Sequence, residues 1–212
     1  MAADLRERGY AVWNVEYRRI GHPGGGYPGT FQDIAASVDH LRALAPRYGL
    51  DLRRVAVSGH SAGGHLALWT AARTRLPNDS ALRVADPLSV RGVVSLAGIA
   101  DLKAYRETGP DACGGPSTID SLVGEPMVGG RDVYADTSPP ALAPLGLRQI
   151  IVSGALDPFV PPRFGADYAA TAATRGGRAV HVEIRGTGHF ELIDPTSAAW
   201  PGIARTYADL LR

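Results

Sequence analysis

Two periodicities alternate along the chain. Short runs rich in Val, Ile, Leu and Tyr are separated by longer stretches in which apolar side chains return every three or four positions. The first pattern suits a strand buried in a sheet, and the second suits a helix with one apolar face. Leu5 to Arg8 closes on Gly9 and reads as the end of a helix, and Tyr10 to Tyr17 then turns to β-branched and aromatic content and reads as a strand. Gly21 to Gly29 is a glycine- and proline-rich loop. Thr30 then caps a helix carried by Ile34, Val38, Leu41, Ala45 and Tyr48, ending near Gly49. Arg54 to Ser58, Val90 to Leu96, Gln149 to Ser153 and Ala179 to Ile184 read as further strands, with helices at His65 to Ala72, Arg163 to Thr174 and Thr196 to Leu211. Strands alternating with helices imply an α/β class fold, a mostly parallel sheet with helices on both faces.

The alternation lapses between Gly98 and Leu147, where Gly, Pro and Ser interrupt short helical suggestions. A segment this long between two core strands is expected to be a lid or cap-like cover over a site, at about residues 98–147, rather than a linker. With 212 residues, the chain is expected to form one domain, 1–212, that buries about 70% of its unfolded surface.

Composition removes several classes of function. Hydrophobic residues make up 45% of the chain and charged residues 20%, a balance that excludes a disordered or fibrous protein. The net charge is +1, Lys103 is the only lysine, and no block of basic residues could follow a phosphate backbone, so nucleic acid is not an expected partner. Cys113 is the only cysteine, which rules out an internal disulfide and a four-cysteine zinc site. The longest apolar runs, such as Gly92 to Ala100, fall short of the roughly 20 residues that span a bilayer, and no membrane association is expected. The first eight residues lack the apolar centre of a secretion signal, which points to a cytoplasmic protein. Gly24-Gly25-Gly26 lacks the Gly-Lys-Ser/Thr ending of a phosphate-binding loop, and His60 and His65 lack a third ligand at metal spacing. Neither a cofactor nor a metal is expected.

One motif carries chemistry. Acyl transfer requires a serine oxygen held out from the end of a rigid sheet, on a turn so tight that its neighbours must be small. Gly59-His60-Ser61-Ala62-Gly63 has that composition and stands between a β-branched strand and an alanine- and leucine-rich helix. Ser61 is therefore the candidate nucleophile, and the backbone N–H of Ala62, at the helix start, is a candidate oxyanion donor.

A serine needs a histidine to take its proton, and the histidine needs a carboxylate to hold its tautomer. His189, between Gly188 and Phe190 just after the last strand, is the candidate base. His181 lies within a strand, His40 within a helix, His60 and His65 in the elbow, and His22 in the first loop. The order Ser, Asp, His places the acid between Ser61 and His189. Asp157, in the turn after Gln149 to Ser153, is the candidate; Asp101 is the main rival, and Asp194 reads better as a helix cap.

With these residues in view, the chain resembles the esterase and kynurenine formamidase-like branch of the α/β-hydrolases. The likeness rests on Asn14-Val15-Glu16-Tyr17-Arg18-Arg19, on Gly59-His60-Ser61-Ala62-Gly63-Gly64-His65-Leu66 and on Gly188-His189-Phe190-Glu191-Leu192-Ile193-Asp194-Pro195. It implies an α/β-hydrolase fold and hydrolysis of a small-molecule carboxylic ester or aryl formamide without metal or organic cofactor. It also implies a His-Gly-Gly loop after an early strand, giving further oxyanion donors. No His-Gly-Gly occurs here, and the strand that carries it should lie between Ala11 to Val15 and Arg54 to Ser58. The fold is accordingly expected to be N-terminally shortened: either the scaffold has lost this part, or, as we expect, Met1 is an internal methionine of a longer reading frame. Loss of one oxyanion donor lowers turnover by about 10²- to 10³-fold.

Three functions follow in order: a carboxylesterase with a Ser-His-Asp acyl-enzyme mechanism, a kynurenine formamidase-type hydrolase, and a non-catalytic hydrolase-fold binding protein. Trp13, Trp69, Tyr105, Tyr134 and Phe159 could line an aromatic subsite, although most such residues are core packing. Oligomeric state is not legible.

Overall fold

The computed structural model describes residues 1–124, 127–128, 130–143 and 145–212. Ala2–Glu7 form helix α1, followed by a segment, residues 10–19, that joins no ladder among the described residues. Helices α2 (Gly29–Asp39) and α3 (Leu41–Tyr48) come next, ending at Gly49 in the left-handed conformation. Strand β1 (Ala56–His60) leads through Ser61 into α4 (Ala62–Ala72), and β2 (Gly92–Leu96) into α5 (Leu102–Thr108) and α6 (Gly115–Val123). A two-residue hairpin, β3 (Met127–Val128) and β4 (Arg131–Asp132), precedes α7 (Tyr134–Thr137). The chain then closes with β5 (Arg148–Gly154), α8 (Pro162–Thr174), β6 (Arg178–Ile184) and α9 (Trp200–Leu211).

The main sheet has the order β1-β2-β5-β6 and is parallel throughout. Its inner strands send alternate side chains to two cores, as the two-residue strand period requires. Val93 and Ile151 pack with Phe31, Leu68 and Trp69 of α2 and α4 on one face. Val94, Leu96, Ile150 and Val152 pack with Leu5 of α1 and Trp200, Ile203 and Tyr207 of α9 on the other. The expected parallel sheet with helices on both faces is present.

Several expected elements differ. The segment from Tyr10 to Tyr17 has strand composition but makes no strand. Tyr10 is anchored in the α9-side core, Trp13 donates its indole N–H to the Ser37 carbonyl, and Arg18 pairs with Asp33, yet Val12 and Trp13 stand exposed. A strand is defined by a neighbour as much as by its own preference, and no described strand lies alongside this segment. Among the described residues β1 pairs with β2 alone, and its five residues are all only half-buried, whereas β2 is buried throughout. The helix expected over Thr30 to Gly49 is divided at His40, whose carbonyl accepts from both Ala43 and Leu44. The last helix starts at Trp200 rather than Thr196, because Asp194 holds the Thr196 amide and hydroxyl in a local turn instead.

The stretch expected to form a lid contains α5, α6, the hairpin and α7. It has a small core of its own, in which Leu102, Tyr105, Ile119, Val123 and Val133 pack against Val160 and Phe164 beyond β5. Among the described residues no helix is long and apolar enough to cross a membrane.

The one-sided pairing of β1 among the described residues has a measurable consequence. The Ser61 N–H donates to the Leu96 carbonyl on β2, so the two-residue alternation turns the Ala56, Ser58 and His60 amides away from β2. In amide hydrogen exchange, Ser58 and His60 are expected to exchange faster than Val57 and Gly59; uniform protection along β1 would show that its outer edge is paired.

Candidate active site

Parallel strands deliver their C-terminal ends to one edge of a sheet. Ser61 follows β1 directly, Asp157 follows β5 by three residues and His189 follows β6 by five. Ser61 sits at φ 56° and ψ −120°, a conformation that L-residues avoid at a cost of order 1–3 kcal/mol. The turn is held by the Ser61 N–H to Leu96 bond and by the His65 N–H donating to the Ser61 carbonyl. A Cβ on Gly59 would lie 2.1 Å from the Gly63 carbonyl oxygen, so this glycine is a steric requirement. Gly63 itself has open space where its Cβ would stand, so smallness at that position is not demanded by contact. Ala62 is the first residue of α4.

The loops after β5 and β6 run side by side because their strands end in register, Gly154 opposite Ile184. The Ala155 N–H donates to the Ile184 carbonyl and the Leu156 N–H to the Thr187 carbonyl. A Cβ on Gly154 would come within 2.3 Å of the Gly188 carbonyl oxygen, so glycine there permits the approach. Across this seam the His189 Nδ1–H donates to Asp157 Oδ2 at 2.6 Å, with both side chains buried. A carboxylate can only accept, which fixes the proton on Nδ1 and leaves Nε2 with its lone pair. The other Asp157 oxygen accepts the Phe159 N–H at 2.8 Å and the Val160 N–H at 3.0 Å. Burial favours the neutral acid, but these bonds, the His189 ring foremost, outweigh it and hold the Asp157 carboxyl below the usual carboxylate range.

Asp157 and His189 are thus in contact. Ser61 lies at the same end of the sheet, one residue from His60, whose ring centroid is 4.3 Å from that of His189. Among the described residues no hydrogen bond joins Ser61 Oγ to His189, and catalytic hydrogen bonds often tighten only when substrate binds. The rival acids are occupied elsewhere. Asp101 caps α5 by accepting from Lys103 and Ala104 N–H and from the Ser138 hydroxyl, and Asp194 is the turn residue described above. Of the other histidines, His65 is buried in α4 with Nδ1 on the Ile99 carbonyl, and burial pushes it down to about 4. His181 bonds the Ser153 hydroxyl.

The aromatic candidates separate in the same way. Trp69 is wholly buried, Tyr105 is buried with its hydroxyl on the Phe159 carbonyl, and Trp13 lies by His40. Tyr134 packs against the small core of α5 and α6, and of the five it is Phe159 whose ring contacts His189, at 5.1 Å. Sequence reasoning missed Phe190, 60% exposed and edge-on to His189 at 5.1 Å; its place next to His189 was the available signal. Among the described residues no group of three His, Cys, Asp or Glu could hold a metal ion.

The BD-FAE family profile matches residues 1–170. The chain belongs to the BD-FAE family. Comparison with curated protein sequences gives no match. Among solved structures this BD-FAE chain is similar to a truncated carbohydrate esterase from gut microbiota, at 19% identity over 87% of this chain and 69% of that one, with a TM-score of 0.67. It is also similar to a bifunctional GH43-CE protein of Bacteroides eggerthii, at 22% identity and a TM-score of 0.78 over 99% of this chain. The chain spans only 30% of that protein's length. Esterase 2 of the planctomycete Thermogutta terrifontis, phosphonylated by sarin, gives 19% identity, a TM-score of 0.72 and coverage of 92% and 70%. These likenesses show the fold of the BD-FAE chain, an α/β-hydrolase.

Two stability predictions follow from the geometry. Ser61→Gly removes the backbone strain and is expected to exceed Ser61→Ala in stability by about 1 kcal/mol in urea unfolding; equal midpoints would mean that the turn is unstrained. Asp157 has its folded pKa depressed below the unfolded value, so its contribution is present above about pH 4 and is lost as pH falls through the folded value. The stability gap between the wild type and Asp157→Asn should therefore narrow from about pH 7 to about pH 3; a constant gap would contradict this.

Proposed function

We propose that the chain is a serine hydrolase that cleaves carboxylic esters through an acyl-enzyme, with Ser61 as nucleophile, His189 as general base and Asp157 as the acid that holds His189. The observation that carries this reading is the 2.6 Å bond from His189 to Asp157 at the sheet end where Ser61 stands on its strained turn. In this scheme His189 Nε2 takes the Ser61 proton as Oγ attacks the ester carbonyl. Asp157 stabilises the resulting imidazolium without taking its proton. The negative oxygen of the tetrahedral intermediate faces the start of α4, where the Ala62 N–H and the positive end of the helix dipole stabilise it. His189 then gives the proton to the leaving alkoxide, and water repeats the sequence to release the acid.

Membership of the BD-FAE family supports this reading, as do solved esterases of the same fold, one of them phosphonylated. The contacts of the segment over 98–147 with the acid's loop, through Val160, Phe164 and the Tyr105 to Phe159 bond, support its reading as a cover over the substrate.

Hydrolysis of p-nitrophenyl acetate tests the assignment. Ser61→Ala and His189→Ala are each expected to lower kcat by about 10⁴-fold or more, and Asp157→Asn by about 10⁴-fold through the wrong tautomer. Folded wild type no faster than Ser61→Ala would refute the enzyme reading and favour a binding protein.

A further inference from the structure

His60 stands between the elbow and the base and has no part in the scheme above. Its Nε2 lies 3.0 Å from the His189 carbonyl oxygen. A carbonyl only accepts, so the imidazole must carry its proton on Nε2 and donate it. The same ring lies against the His189 ring at a tilt of 56°, and Phe190 lies 5.8 Å from it. His60 is the last residue of β1, so this bond fastens the base's loop to the strand that carries Ser61. His189 is then held twice, through its ring from the β5 side and through its main chain from the β1 side.

We propose that His60 is a positioning residue: its Nε2–H bond to the His189 carbonyl and its ring contact set the distance and angle between His189 Nε2 and the hydroxyl of its own chain neighbour, Ser61. The proposal rests on the roles given to Ser61 and His189 above. The loop before His189 contains Gly188 and Gly186, the latter at φ 65°, and glycines leave it free to shift. The Asp157 bond alone leaves the main chain of His189 untethered to β1, and a displacement of about 1 Å at a reacting group costs up to about 10²-fold in rate. The charges agree with this role. The titratable groups that act on His60 are His189 and Asp157; burial and the neighbouring His189 hold it below its ordinary value, against the opposing pull of Asp157. Both influences disfavour a positive charge on His60 beside the His189 ring.

The first test uses the unmodified chain. Nitrogen-15 NMR of the histidine rings near neutral pH is expected to show His60 as the Nε2–H tautomer; the Nδ1–H tautomer would overturn the proposal. The second compares His60→Phe, which keeps a ring without a donor, with His60→Gln, which keeps an N–H close to the Nε2 position. In His60→Phe, kcat on p-nitrophenyl acetate should fall by about 10- to 100-fold with KM within about 2-fold, and the downfield His189 Nδ1–H proton should broaden. His60→Gln should restore most of the lost kcat and the sharp proton signal. Wild-type kcat in His60→Phe, or an equal fall in both variants, would overturn the proposal. If wild type proves no faster than Ser61→Ala, the esterase reading fails, while the tautomer and the His189 proton still judge His60 by themselves. If His60→Phe does not fold, the wild-type tautomer and the Gln variant decide.

Discussion

The parallel register of β1, β2, β5 and β6 is the constraint from which the site follows. Four strands running one way end at one edge, so residues 61, 157 and 189, far apart along the chain, leave the sheet together. The pairing of Gly154 with Ile184 then sets two loops side by side, and the glycine at 154 lets them close to contact. The Asp157 to His189 bond is the product of that approach. Main-chain bonds between the loops, and the two amides donated to Asp157, stiffen them.

A second constraint acts on the strand that carries Ser61. β1 pairs only with β2 among the described residues, and the segment at residues 10–19 joins no strand. The strained turn is therefore fixed from one side of the sheet and from below, by Leu96, by α4 and by the packing of Gly59 on Gly63. The contact of His60 with His189 adds a tie at the end of this strand, and so joins β1 to the loop that carries the base.

Some of this was legible in the residues. The elbow could be found because its sterics admit few side chains: Gly59 meets backbone, and Ser61 takes a positive φ. The alternation of strands and helices gave the layers, since both periods reflect burial. The contact of Asp157 with His189 followed from strand order, while Asp101 could be separated only once its amide partners on α5 were visible. Tyr10 to Tyr17 shows the limit of such reading. Its β-branched and aromatic content records a preference for extended backbone, but pairing depends on a neighbour that composition does not report. At Thr196 the apolar period favours a helix, but the local bonds from its amide and hydroxyl to Asp194 win. The role of His60 depends on a carbonyl 129 positions away, which no spacing rule reveals.

The central claim is that Ser61 is made nucleophilic by the His189 and Asp157 pair. Treating the intact chain with a fluorophosphonate and mapping the adduct by peptide mass spectrometry tests it most directly. A single phosphonyl group on Ser61, formed in the wild type and lost in His189→Ala, is the result that supports the claim. A folded wild-type chain that stays unlabelled at Ser61, or labels there equally without His189, would contradict it.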